Sequence, residues 1–280
     1  MSSPIISAEE VERHLGDWIV IDCRHSLQDV EAGRRAYQAG HIPGAIFFHL
    51  DQDLSGPTGG ERGRHPLPSI ARWVETLEQA GVSSGRMVVA YDDREGLFAA
   101  RLWWMLRWVG HEQVAVLDGG WAHWCGENRP VSTEPPSLRR AVFLARERQG
   151  AWIDTAAVQE HLNDPDQLLL DARTADRFRG ENETLDPVGG HIPGARNRPF
   201  RDNLQADGRF KPAEQLKAEF EALLSGAAPA QVVHQCGSGV TACHNLLAME
   251  YAGLQGGRLY PGSWSAWCAN PTRPVAVGSP

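Results

Sequence analysis

The six residues Gly-His-Ile-Pro-Gly-Ala occur twice in this chain, at 40–45 and again at 190–195, and the repetition reaches well beyond them. WIVIDCR (18–24), MVVAYDDREGLFAARLWW (87–104) and LDGGWAHW (117–124) are answered in the same order by LLLDAR (168–173), VVHQCGSGVTACHN (232–245) and YPGSWSAW (260–267). Asp22 corresponds to Asp171, His41 to His191 and Trp121 to Trp264, at offsets of 149, 150 and 143. A period of that size is far above the roughly 20–50 residues of stacked repeats and describes a pair of similar domains. The 280 residues agree with two domains of about 100–200 residues each.

Within each half, short apolar runs alternate with helical patterns. Trp18–Asp22, Met87–Tyr91 and Val114–Leu117 read as buried strands, as do Leu168–Asp171, Val232–His234 and Arg258–Tyr260. Ser7 and Glu10 stand at capping-box spacing, and the run from Ser69 ends at Gly81, a C-cap. Lys211–Leu224 carries Leu216, Phe220, Leu223 and Leu224 at helical spacing, followed by Gly226. Continuously apolar strands alternating with helices predict an α/β fold, in which each domain is a parallel sheet flanked by helices on both faces. Pro130, Pro135 and Pro136 mark a linker, which places the domains at 1–128 and 145–280 with 129–144 between them.

Composition narrows the partners. A formal charge of −8 argues against a nucleic-acid surface, which wants clustered Lys and Arg. No uncharged stretch approaches the roughly 20 apolar residues of a membrane span, and residues 1–10 lack the basic start and apolar run of a signal peptide. The five cysteines (Cys23, Cys125, Cys236, Cys243, Cys268) are odd in number and scattered, with no Cys-x-x-Cys pair, so neither a disulfide framework nor a zinc ribbon is expected. The expectation is a reduced, cytoplasmic protein that needs no metal and no organic cofactor.

The third blocks differ in one telling way. Matching Gly96 to Gly239 and Ala99 to Ala242 sets Asp93 against Cys236, one carboxylate and one thiol at the same loop apex, as in a retired copy and a working one. Cys236 lies between a strand ending near Gln235 and a helix from about Val240 to Tyr251, where ligands of open α/β sheets bind. Residues 237–242 contain no proline, so six consecutive N–H groups are available, and Gly237 and Gly239 permit the positive φ that folds amides into an anion nest. The helix N-terminus behind adds about half a positive charge. Such surroundings lower a cysteine pKa from about 8.5 to roughly 3.5–7.5, which would make Cys236 a nucleophile at neutral pH. Cys243, two helical turns on, reads as core, and the remaining three cysteines have no such loop.

The twin GHIPGA motifs, the CGSGVTA loop and the LDGGW and PGSW blocks resemble the tandem rhodanese sulfurtransferases over nearly the whole chain, and CGSGVTA is similar to the loop of the branch acting on 3-mercaptopyruvate. Thiosulfate-specific members place basic residues just after the cysteine, where this chain has Gly237 and Ser238. The resemblance implies an inactive first domain, an active second one and a site in the cleft between them. It implies catalytic roles for Cys236, Ser238, His65 and Asp51, the last three as a serine–histidine–aspartate relay. It also implies donor binding by Arg177, whose planar fork suits a carboxylate, and by the loop residues Gly237, Gly239, Val240 and Thr241. His41 and His191 recur in both halves and read as structural. Members active on mercaptopyruvate usually carry a second arginine before the second GHIPG. Here residues 181–190 hold three acids and no base, leaving Arg179, Arg196 or Arg198 to take that place.

The implied chemistry is a ping-pong transfer of sulfur from 3-mercaptopyruvate, or alternatively thiosulfate, through a Cys236 persulfide to cyanide, a thiol or reduced thioredoxin. Two rivals are a phosphatase and a persulfide relay serving one protein partner. The first wants a Cys-x5-Arg loop, whose arginine would fall at position 242, which is Ala242.

Overall fold

The computed structural model describes residues 3–162 and 164–279, which pack into two compact units. The first comprises the chain up to Gly56, Leu67–Arg148 and Asp207–Arg209. The second comprises Pro57–Pro66, Gln149–Ala206 and the chain from Phe210 onward. The stretch read as a linker therefore belongs to the first unit's packing. Ala141 N donates to Glu78 O at 3.0 Å, and Arg146 N and Arg148 N donate to Val109 O and Trp108 O at 2.8 Å.

In the first unit, five parallel strands lie in the order β1 (Ile5–Ile6), β5 (Val114–Leu117), β4 (Val88–Tyr91), β2 (Ile19–Asp22), β3 (Ile46–Phe47). Side chains alternate along a strand. Val20, Val89, Tyr91, Ala115 and Leu117 join one core with Val11 of α1 (Ala8–Arg13) and Trp124 of α5 (Gly120–Gly126). Their neighbours of opposite parity, Ile19, Ile21, Val88, Ala90 and Val116, are also buried, so both faces of the sheet are covered. Helix α4 (Ala99–Trp108), buried along its whole length, packs against β4 and β5.

The second unit repeats this order with β9 (Arg258–Leu259), β8 (Val232–Gln235), β6 (Leu168–Asp171) and β7 (Arg196–Asn197), again all parallel. An isolated parallel bridge from Trp152 to Leu259 occupies the edge where the first unit has β1. Leu169 and Val233 pack with Val158 of α6 (Thr155–Glu160), Phe178 of α7 (Ala175–Arg179) and Trp264 and Trp267 of α10 (Ser263–Trp267). Leu170, Val232 and His234, on the other face, are equally buried.

Helix ends follow local chemistry. Ser7 Oγ accepts from Glu10 N at 3.2 Å and Ser69 Oγ from Arg72 N at 3.3 Å, each satisfying one orphan donor. Helix α3 (Ile70–Gln79) is capped by Ala80, and Gly81 follows with φ 75°. Helix α8 spans Ala213–Leu224, starting after Pro212 and ending at Ser225 in the left-handed region.

The recurring motifs hold each sheet to its connections. Arg24 forks onto Asp22 and reaches Gly40 O at 2.6 Å, just as Arg173 forks onto Asp171 and reaches Gly190 O at 2.7 Å. The guanidiniums stack over Trp121 and Trp264, 4.5 and 4.8 Å from the ring centroids. His41 Nδ1 donates to Tyr37 O and His191 Nδ1 to Phe178 O, both at 2.8 Å, with each ring stacked on the same aromatic residue. Both histidines are structural.

His234 on β8 is fully buried, and neither ring nitrogen has a hydrogen-bond partner among the described residues. Burial pushes its pKa down to about 3, so it stays neutral in the folded protein while an unfolded histidine charges near 6.5. The unfolded chain thus binds the extra proton between those values, and folding stability falls as pH drops through that window by up to about 1.4 kcal/mol per unit. In denaturant titrations, the stability of His234→Leu relative to wild type is expected to rise on acidification below about pH 6.5; a difference independent of pH contradicts this.

Candidate active site at the Cys236 loop

The strand registers decide what stands opposite Cys236. Asp22 pairs with Tyr91 in the first sheet and Asp171 with Gln235 in the second, so the residue after each, Asp92 and Cys236, are equivalent. Trp121 N donates to Asp92 O and Trp264 N to Cys236 O, which confirms the match. The expectation that Asp93 holds the cysteine position is corrected to Asp92. The loop from Asp92 to Ala99 is one residue longer than that from Cys236 to Ala242, and aligning on the loop glycines shifts the apex by one.

The first loop shows what its amides are for. Asp92 Oδ1 accepts from Arg94 N and Gly96 N at 2.8 and 2.9 Å, and Oδ2 from Phe98 N and Ala99 N at 2.8 Å each. Burial pushes this carboxyl up, and the four amides only partly offset that. In the second loop Gly239 N donates to Cys236 Sγ at 3.2 Å, while the amides of Gly237, Ser238, Val240, Thr241 and Ala242 donate to no acceptor among the described residues. One nest is filled by the protein's own carboxylate; the other surrounds a thiol that is only 2% exposed.

The PGSW block pins this second loop. Trp264 N and Ser265 N donate to the carbonyls of Cys236 and Gly237 at 3.0 and 2.9 Å. Ser263 Oγ accepts from Cys236 N at 3.1 Å and donates to Tyr260 O at 2.8 Å. Gly239 has φ 77°, and a Cβ there would lie 2.5 Å from Pro261 O, so only glycine fits. Helix α9 (Ala242–Tyr251) begins directly behind, its N-terminus toward the loop.

His65 and Ser238 meet as expected: His65 Nδ1 and Ser238 Oγ are 2.7 Å apart, and both side chains are buried. His65 lies in the 57–66 segment, which packs with the second unit although it belongs to the first half of the sequence. Gly63 makes this possible, since its φ is 84° and a Cβ would lie 2.7 Å from Gly262 O. Arg64 N donates to Ser265 Oγ at 3.0 Å, and Glu61 pairs with Arg273. Asp51 lies in the first unit, its amide donating to His49 Nδ1 at 3.1 Å and its side chain 39% exposed.

Arg177, on α7, is held by Glu183: Nε donates at 3.0 Å and Nη2 at 2.8 Å, with Asp186 Oδ2 at 3.5 Å from Nη2. The acids of residues 181–190 thus have a purpose that the sequence concealed. Glu183 and Asp186 have side chains only 4% exposed, and they brace arginines. None of the three arginines considered as a second donor-binding group stands at the loop. Arg179 pairs with Glu181, Arg196 with Leu223 O and Arg198 with Glu219. Sequence reasoning missed Arg64. Its Nη1 donates to Asp186 Oδ1 at 2.8 Å, and a Cβ built on Gly237 would lie 3.2 Å from Arg64 Nη2 and 3.5 and 3.7 Å from Arg177 Nη2 and Nη1. Its position beside His65 was the available signal.

Arg173 completes the charge pattern. Burial works against its cation, but Asp171, with Glu183 and the Cys236 thiolate, more than offsets this and leaves it raised. Burial raises Cys23 and Cys125 and pushes Cys268 up to about 11. Cys243 donates to Gly239 O at 3.4 Å within the core. Among the described residues, ligand atoms of His25, His49 and Asp51 come within 4.8 Å of one another, a spacing that could suit a metal. Both nitrogens of His49 are already engaged, Nε2 with Val30 O and Nδ1 with Asp51 N, so this group offers a metal at most two ligands.

Comparisons with known proteins agree with this picture. The family model for the rhodanese-like domain matches residues 7–127 and 154–270. A probable 3-mercaptopyruvate sulfurtransferase of Pseudomonas aeruginosa is 47% identical over 281 residues, covering 99% of each chain. Mouse thiosulfate sulfurtransferase is 35% identical across 89% of this chain and 84% of its own. The structure of the 3-mercaptopyruvate sulfurtransferase of Leishmania major superposes with a TM-score of 0.84 at 31% identity, covering 94% of this chain and 73% of that one.

Asp92→Asn is expected to lower stability by at least about 2 kcal/mol, because an amide NH2 would then face two of the loop donors. Chemical denaturation measures this, and a loss below about 0.5 kcal/mol contradicts the self-filled nest.

Proposed function

The chain belongs to the rhodanese-like family, and from that membership and the Cys236 loop we propose that it is a sulfurtransferase carrying sulfur as a Cys236 persulfide, with 3-mercaptopyruvate as preferred donor. The observation that supports this most directly is the contrast between the two nests. Asp92 supplies the anion in one; in the other the same amides surround a cysteine and are left for an anion on its sulfur.

In the first step the Cys236 thiolate attacks the donor's thiol sulfur. An S–S bond forms, the donor's C–S bond breaks, and its electron pair leaves as the enolate of pyruvate. The proton of the donor's thiol passes through Ser238 and His65 to the enolate carbon, releasing pyruvate. The outer sulfur, left as a persulfide anion, is stabilised by the amides of Gly237 to Ala242, including those of the substrate-contacting Gly239, Val240 and Thr241. In the second step an acceptor attacks that outer sulfur, and the electron pair of the S–S bond returns to Cys236. Cyanide leaves as thiocyanate and a thiol as its own persulfide; reduced thioredoxin is one such thiol. Asp51 enters through the family resemblance as the carboxylate that steadies His65. Among the described residues no disulfide joins any of the five cysteines, and no helix is long and apolar enough to cross a membrane. A cytoplasmic location is part of the same proposal.

Thiosulfate gives a built-in comparison. Attack on its outer sulfur expels sulfite, which needs no proton, so the relay is idle. Protein treated with mercaptopyruvate is expected to gain about 32 Da on Cys236, and Cys236→Ser to gain nothing and turn over neither donor. His65→Gln and Ser238→Ala are expected to lose about 100-fold or more in kcat with mercaptopyruvate and far less with thiosulfate. Sulfur found on another cysteine, or full turnover by Cys236→Ser, defeats the proposal.

A further inference from the structure

The geometry points to Arg64 as a specificity-determining residue: the second arm, with Arg177, of a clamp for the donor's carboxylate, held in place by Asp186. This inference rests on the sulfur-transfer reading of Cys236.

Three observations carry it. First, the two guanidiniums converge on one point. The Cβ direction of Gly237, the residue next to the nucleophile, runs to within 3.2 Å of Arg64 Nη2 and within 3.5 and 3.7 Å of Arg177 Nη2 and Nη1. A side chain at 237 would fill the space that the pair addresses, and glycine leaves it open. Second, each arginine is anchored on one side and open on the other. Arg64 spends Nη1 on Asp186 and Leu185 O, and Arg177 spends Nε and Nη2 on Glu183. Arg64 Nη2 and Arg177 Nη1 have no acceptor among the described residues, and Arg64 Nε is buried without one. Anchoring a guanidinium by its far edge removes rotamer freedom before any ligand arrives, so less is lost per bond formed. Third, the local charges balance. Arg64, Arg173 and Arg177 face Asp171, Glu183 and Asp186 through a connected set of ion pairs. A donor that arrives as a thiol with one carboxylate brings a single negative charge to this set, against two for a compact dianion, and each open N–H is placed to bond a carboxylate oxygen.

Arg64 also comes with its own positioning. Its amide is fixed to Ser265 Oγ, on the helix that begins by binding the carbonyls of Cys236 and Gly237. The clamp and the nucleophile therefore share one rigid support.

The test compares donors that differ only in the carboxylate: 3-mercaptopyruvate and 1-mercapto-2-propanone, in which a methyl group replaces it. Arg64→Gln is expected to lower kcat/KM for mercaptopyruvate by about 10- to 100-fold, chiefly through KM, while changing the value for mercaptopropanone by less than about threefold. Arg64→Lys keeps the charge and most of the packing but loses the fork, and is expected to fall between wild type and Arg64→Gln. It carries the test if the glutamine variant does not fold. Asp186→Asn is expected to shift KM for mercaptopyruvate in the same direction with little change in kcat. Equal losses for both donors would show that Arg64 merely supports His65 or the loop, and no loss for mercaptopyruvate would show that it does not bind the carboxylate. Either result overturns the inference while wild-type persulfide formation stands. A wild type that forms no persulfide from either donor defeats the sulfur-transfer reading itself, and this inference with it.

Discussion

The second unit turns on a set of backbone N–H groups at the end of β8, of which Gly239 N meets Cys236 Sγ and the others meet no acceptor among the described residues. Unmet donors of this kind are costly, and a fold keeps them only where an acceptor arrives. The first unit displays the permanent solution, a carboxylate on the strand's next residue bonded to four amides at once. The second replaces that carboxylate by a thiol, which accepts from Gly239 N at 3.2 Å. The two turns differ in length by one residue and in the side chain at the strand's end: aspartate fills one nest with its own carboxylate, whereas in the other a cysteine accepts from Gly239.

The surroundings convert that opening into a defined site. Ser263 Oγ accepts from the Cys236 amide, and Trp264 and Ser265 donate to the carbonyls of Cys236 and Gly237, so the thiol is presented from a braced loop. Gly63 and Gly239 permit two backbone approaches that any side chain would block, one bringing His65 to Ser238 and the other closing the loop onto Pro261. The buried acids Glu183 and Asp186 set the directions of Arg177 and Arg64 rather than opposing them.

Much of this was legible in the chain. Each four-residue strand read from its apolar run appears in a sheet, because burial on both faces leaves an uninterrupted signal: Val114–Leu117 and Leu168–Asp171 agree to the residue. The two-residue strands Ile5–Ile6, Ile46–Phe47 and Arg196–Asn197 are too short to show a period and are defined by their partners. The Asp93 assignment failed because glycines were aligned across loops of unequal length, whereas equivalence is set by strand register. Glu183 and Asp186 do not show in the sequence as braces for arginines, because the cations they meet, Arg64, Arg173 and Arg177, lie outside the stretch 181–190.

The path of residues 57–66 bears on how such a duplicated chain can evolve. These ten residues leave the first unit, lend a histidine and an arginine to the second, and return. An ancestral copy that has lost its own nucleophile is ordinarily free to drift or be deleted. Here deletion of the first half would also remove residues 57–66, and with them the His65–Ser238 contact and the Arg64–Asp186 ion pair inside the second unit.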